Sequence, residues 1–90
     1  MKRVECTAKG RVQGVGYRLF VLGKANACQV KGWVRNESDG TVRIAAEANE
    51  RELKEFVRLI KESKFLQRIE SLSVDWCEAR GEFDSFNIKY

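Results

Sequence analysis

The hydrophobic period of this chain switches between two and about 3.6 residues in one particular order, and that order leaves few folds open. Val4, Cys6 and Ala8 alternate with Arg3, Glu5 and Thr7, the pattern of a strand with one buried face. Tyr17 to Ala27 reads as a helix with Val21, Ala25 and Cys28 on its inner side and Leu22 beside them. Gly23 weakens that helix by about 1 kcal/mol relative to Ala. Val30 to Asn36 and Thr41 to Glu47 are two more strands, the second burying Val42, Ile44 and Ala46. The turn Glu37-Ser38-Asp39-Gly40 between them is short enough to force an antiparallel hairpin. Asn49, with Glu52 three residues later, resembles a capping box. The helix behind it carries Leu53, Phe56, Val57 and Ile60 at i, i+3, i+4, i+7. Glu50 with Lys54, and Arg51 with Glu55, are expected ion pairs on its wet side. Leu72, Val74 and Trp76 alternate as a fourth strand, Gly81 to Asp84 turns the chain, and Phe86, Ile88 and Tyr90 alternate as a short last one.

The order is βαββαβ plus a terminal strand, without repeat, linker or low-complexity tract. It predicts an α+β fold on the split βαβ, or ferredoxin-like, plan: an antiparallel sheet with two helices on one face, in a single domain over residues 1–90. Trp33 and Trp76 are expected as packing or sheet-face residues. Ninety residues leave no room for a separate cofactor domain. The longest aliphatic and aromatic run, Leu19 to Leu22, is far short of the roughly 20 residues a bilayer needs, and no signal peptide is visible at Met1-Lys2-Arg3.

Residue types absent from the chain narrow the chemistry. There is no histidine, so Ser-His-Asp and Cys-His catalysis are excluded within one chain. Cys6, Cys28 and Cys77 form no CxxC pair, which argues against a structural zinc site. Each is expected as a small buried residue in a reducing, cytoplasmic setting. Residues 1–45 hold nine Lys/Arg against three Asp/Glu, and residues 46–90 hold eight against ten. An excess of positive charge in the first half suits either an anion site or a solvated polar face.

The loop Gly10-Arg11-Val12-Gln13-Gly14-Val15-Gly16, between the first strand and the first helix, bears on that choice. Glycines let successive N–H groups converge on one concavity, and the helix that follows adds free N–H groups and the positive end of its dipole. Arg18, in the first helical turn, reaches the same spot with a fork that grips an oxyanion bidentately. These features together describe a pocket for phosphate. The loop is neither a Walker A sequence nor G-x-G-x-x-G. Taken alone, it is equally compatible with a tight turn that holds nothing.

Gly10 to Arg18, followed by Gly32-Trp33-Val34-Arg35-Asn36 and Asp39-Gly40-Thr41-Val42, resembles the two signature segments of the acylphosphatases in order and separation. The resemblance extends to Phe86-Asn87-Ile88-Lys89-Tyr90 and so covers essentially the whole chain. It implies hydrolysis of acyl phosphates to a carboxylate and inorganic phosphate, with no cofactor or metal. It implies that Arg18 binds the phosphoryl group together with the main-chain amides of Gln13, Gly14, Val15, Gly16 and Tyr17, and that Asn36 positions the attacking water. It implies a monomer with a small-molecule acyl phosphate as partner; the residues themselves, with no RNP1-like aromatic-glycine strand and no apolar run of bilayer length, point to neither nucleic acid nor membrane.

The absence of histidine does not obstruct this chemistry. The leaving carboxylate has a conjugate acid of pKa about 4 and departs without a general acid. An alkoxide does not, so phosphate monoesters are expected to be poor substrates. The competing reading is a non-catalytic ferredoxin-like module that binds phosphate or RNA. Two positions and one segment depart from the family pattern. Tyr17 stands where Phe is usual and is expected to add a hydroxyl near the anion. Gln29 stands where many members have Gly, which predicts a different helix cap. Residues 63–68 lack the usual Gly-Pro.

Overall fold

The computed structural model describes residues 1–14, 16–62 and 69–90. Seven elements follow in order: β1 (Lys2–Gly10), α1 (Tyr17–Ala27), β2 (Lys31–Asn36), β3 (Val42–Ala48), α2 (Glu50–Lys61), β4 (Ile69–Glu78) and β5 (Phe86–Lys89). The expected loop difference at residues 63–68 lies outside the described residues. The strands form one sheet in the order β4-β1-β3-β2-β5. β1 pairs antiparallel with β3 and β4, and β2 antiparallel with β3.

β5 departs from the expected antiparallel arrangement and runs parallel to β2, with Gly32 opposite Phe86 and Val34 opposite Ile88. The direction follows from the path of the chain. β4 ends beside Lys2 at the start of β1, on one edge of the sheet. The chain crosses to the other edge at that same end, and a strand starting there must run the same way as β2.

The inner face of the sheet carries Val4, Cys6, Ala8, Val34, Val42, Ile44 and Ala46, all fully buried against Val21 and Ala25 of α1 and Leu53, Phe56 and Ile60 of α2. Burying one such aliphatic side chain contributes roughly 1.5–3 kcal/mol. The α2 stripe therefore anchors that helix far more firmly than its surface pairs do. Those pairs differ in part from expectation. Lys54 meets Glu50 at 3.3 Å, but Glu55 is held by Arg58 instead of Arg51, and Arg58 also reaches Glu62 at 2.7 Å. Asn49 caps α2 by position only, because its side chain makes no cap hydrogen bond. The first-turn acids Glu50 and Glu52 face the helix dipole instead.

Among the described residues the outer face is covered by no helix, yet it is not uniformly wet. Ala45 and Glu47 on β3 are both 1% exposed, although the alternation of β3 predicts burial of Val42, Ile44 and Ala46. Trp33 also lies on this face, with Arg35 and Lys89 each over its ring, at 4.5 and 5.0 Å. Trp76, on the edge strand β4, is 44% exposed. Of the cysteines, Cys6 is buried as expected and burial pushes its thiol up to about 12. Cys28 is half-buried, and Cys77 is exposed, contrary to expectation, because it stands opposite Arg3 on the outer face of the edge strand β4, turned away from the core that Leu72 and Val74 of that strand pack against. Among the described residues, no helix is long and apolar enough to cross a membrane.

Candidate active site

The β1–α1 connection is pinned at two points. Val12 is 2% exposed and belongs to the core. Gln13 turns its side chain the other way: Nε2 donates to the carbonyl oxygens of Glu37 at 2.8 Å and Thr41 at 2.9 Å, at the closed end of the β2–β3 hairpin. Gly14 and Gly16 then take φ of +74° and +82°, and a Cβ on either would meet nothing within 4 Å. Glycine is needed there for backbone direction and not for space. Val15 lies outside the described residues.

Gly16 is the N-cap of α1 and offers no side chain to satisfy the first turn. The first bond of the helix runs from Phe20 N–H to Gly16 O at 3.1 Å, so the N–H groups ahead of Phe20 have no acceptor within the helix. The first turn of α1 contains no acidic residue, in contrast to α2. Arg18 sits in that turn, its guanidinium 4.9 Å from the ring centre of Tyr90. Together Gly14, Gly16 and Arg18 line a recess of about 170 Å³, with Leu19, Ile88 and Tyr90 along its apolar side. An unopposed helix start beside a guanidinium favours an anion there.

Tyr17 also lines this recess, but its hydroxyl is buried and not presented to solvent there. Its side chain is 1% exposed within the core, and its ring stacks on Phe20. Burial, with the Cys6 thiol within electrostatic reach, pushes that hydroxyl's titration upward. Position 17 faces inward from the first turn of an amphipathic helix, so its side chain serves packing.

Asn36 ends β2, paired with Val42, and does not line the recess beside Arg18. Its Oδ1 is buried and meets no donor among the described residues. The following turn is braced by Asp39, whose Oδ1 accepts from Thr41 N at 3.0 Å and Thr41 Oγ1 at 2.7 Å. Those two bonds hold the Asp39 carboxyl below its usual range. Sequence reasoning missed two contacts here, the Gln13 side-chain bridge and the stacking of Tyr90 on Arg18. The alternation Phe86, Ile88, Tyr90 is a signal for the second, since it sets Tyr90 on the same side of the chain as the two apolar residues before it, although its ring stays exposed. Nothing in the sequence marks the first, since the acceptors of a loop side chain depend on how a distant hairpin folds back. Among the described residues, no three His, Cys, Asp or Glu side chains gather as a metal site requires.

Fold and loop together define a small ferredoxin-like domain whose first helix opens onto an anion-favouring recess. A family model described as Acylphosphatase matches residues 4–88. The acylphosphatase of Salinibacter ruber is 42% identical over 88 residues, covering 98% of this chain and 93% of that one. That of Bacillus licheniformis is 42% identical over 81 residues, 90% of each chain. The crystal structure of acylphosphatase from Bacillus subtilis matches with a TM-score of 0.91 at 36% identity, across all of both chains. The chain belongs to the acylphosphatase family. Its activity is the hydrolysis of acyl phosphates, with inorganic phosphate as a product.

Proposed function

We propose that the phosphoryl group of the acyl phosphate sits at the N-terminus of α1, held by Arg18 and by main-chain N–H groups of Gln13, Gly14, Val15, Gly16 and Tyr17. The observation that carries this reading is an eleven-residue helix beginning on a left-handed glycine, with no side-chain cap and no acid in its first turn. Positive charge there stabilises the equatorial oxygens as charge redistributes along the reaction path.

Asn36 directs the attacking water. A buried amide oxygen without a donor among the described residues is suited to accept a hydrogen bond from that water. Asparagine is too weak a base to keep the proton, which passes to a phosphoryl oxygen of the substrate. The P–O bond to the acyl oxygen breaks with its electron pair leaving on the carboxylate. No general acid is required for a leaving group whose conjugate acid has a pKa of about 4. A single chain contains every group this scheme uses, so the reading includes a working monomer.

Two variants separate the roles. Arg18→Gln is expected to weaken inorganic phosphate binding and to lower kcat together, by about a hundredfold in kcat/KM. Asn36→Ala is expected to lower kcat by a similar factor with phosphate affinity kept within threefold. Steady-state kinetics on benzoyl phosphate, with inorganic phosphate as a competitive inhibitor, read both quantities. The same assay on p-nitrophenyl phosphate should give little turnover. Equal turnover of the two substrates, or loss of phosphate binding in Asn36→Ala with kcat intact, overturns the assignment.

A further inference from the structure

The proposed water-directing amide and the proposed phosphate loop stand on strands that do not touch. The loop leaves β1, Asn36 ends β2, and β3 lies between those strands in the sheet. Two strand spacings amount to roughly 10 Å. In-line attack tolerates little error in the distance between water and phosphorus, and a misplacement of about 1 Å can lower the rate about a hundredfold. The contact that spans this gap is the Gln13 carboxamide.

The bridge is specific in its chemistry. Both partners of Nε2 are carbonyl oxygens, at 2.8 and 2.9 Å, so the amide must present its NH2 group to them, and both of its hydrogens are used. Glu37 directly follows Asn36, and Thr41 directly precedes Val42, the register partner of Asn36. Thr41 O also accepts from Glu37 N–H at 2.8 Å, so Gln13 joins the very bond that closes the hairpin. On the loop side, Gln13 lies between Val12, locked in the core, and Gly14, which begins the left-handed turn.

We propose that Gln13 is a positioning residue for hydrolysis, its side chain holding the end of β2, and therefore Asn36, at a fixed distance from the phosphoryl site. This rests on the roles proposed above for Arg18 and Asn36. It assigns to the Gln13 side chain a function separate from that of its main-chain amide. Glutamine suits the task because asparagine is one methylene too short and a carboxylate would oppose both carbonyls.

The test compares donors at position 13. Gln13→Met and Gln13→Glu keep the length and remove the donor; Gln13→Lys keeps a long donor. The readouts are kcat on benzoyl phosphate and the inhibition constant of inorganic phosphate, taken below the melting temperature of each variant. Both donor-less variants are expected to lower kcat about ten- to a hundredfold with phosphate inhibition unchanged within threefold, and Gln13→Lys to recover most of that loss. Should Met be tolerated at wild-type kcat, should Lys be as impaired as Met, or should phosphate affinity fall in step with kcat, the positioning role is wrong. Asn36→Ala run alongside reports on the underlying reading by itself. A drop there with Gln13→Met unimpaired sinks the bridge alone, whereas wild-type turnover in Asn36→Ala sinks the assignment beneath it.

Discussion

A methyl group at residue 32 would have nowhere to go. Built on Gly32, a Cβ lies 1.9 Å from the carbonyl oxygen of Ala45 and 2.9 Å from Cα of Ala46, both main-chain atoms of the neighbouring strand, and φ there is +150°. Relieving that contact means prising β2 from β3 just where the hairpin ladder begins. Gly32→Ala is expected to lower stability by about 2–3 kcal/mol, read as a shift of the urea midpoint at constant m. An unchanged midpoint would show that the two strands can part at no energetic penalty. The glycines of the β1–α1 loop are of the other kind, with open space around them. The sequence showed seven glycines and marked which lay in motifs. It could not distinguish a glycine kept for backbone direction from one kept for lack of room, because the second depends on a strand more than ten residues away. Tyr17 is a similar case: its place beside Arg18 suggests the site, but it shares the buried side of α1 with Val21 and Ala25.

At the scale of elements, the two helix ends of α1 contrast. Its start is uncapped and faces the recess, while its end is closed by a full Schellman pattern. Val30 N–H bonds to Ala25 O at 2.9 Å, and Gln29 N–H to Asn26 O at 3.2 Å. That pattern puts Gln29 at φ +58°, the left-handed region, where a Cβ costs about 1–2 kcal/mol. The departure from the usual family glycine noted at this position therefore has a physical consequence, though the cap forms regardless. Because glycine gives back part of the gain as unfolded-state freedom, Gln29→Gly is expected to stabilise the protein by about 0.5–1 kcal/mol, raising the melting temperature by several degrees without changing kcat. A lower melting temperature would mean that Gln29's side chain contributes more than its backbone strain removes. Helix existence and boundaries were legible here because period and length agreed. Cap chemistry was less so: Asn49 and Glu52 have capping-box spacing, yet the Asn49 side chain makes no cap bond. Residue spacing places two groups near one another but does not decide which acceptor each will choose.

For the molecule as a whole, the path from β4 to β5 was the part the sequence left open. Alternation identifies a strand and its inner face, but it contains no information about which edge the strand joins. The crossing chain is held to the outer face by a charged cluster. Glu47, 1% exposed, accepts from the N–H groups of Arg80 at 2.9 Å and Gly81 at 3.0 Å and from Arg3 Nη1 at 2.9 Å. Arg3 also bonds Glu5 at 2.9 Å and Glu82 at 2.7 Å, beneath the ring of Phe83. Burial alone would raise the Glu47 carboxyl, but the Arg80 amide, the Arg3 guanidinium and the Gly81 amide outweigh it and hold the pKa below its ordinary value. A folded pKa below the unfolded one means that the ionised form favours the fold. Its contribution is complete above the unfolded value, about 4.3, and is lost as pH falls through the lower folded value. Glu47→Gln keeps the size and removes the charge, leaving Arg3 without its most buried partner; about 3 kcal/mol of stability should be lost at pH 7. The difference between wild type and variant should then shrink as urea unfolding is repeated from pH 5 towards pH 3, since acid removes from the wild type what the substitution has already removed. Parallel stability curves across that range would show that the carboxylate's charge is not what fastens the crossing segment to the sheet.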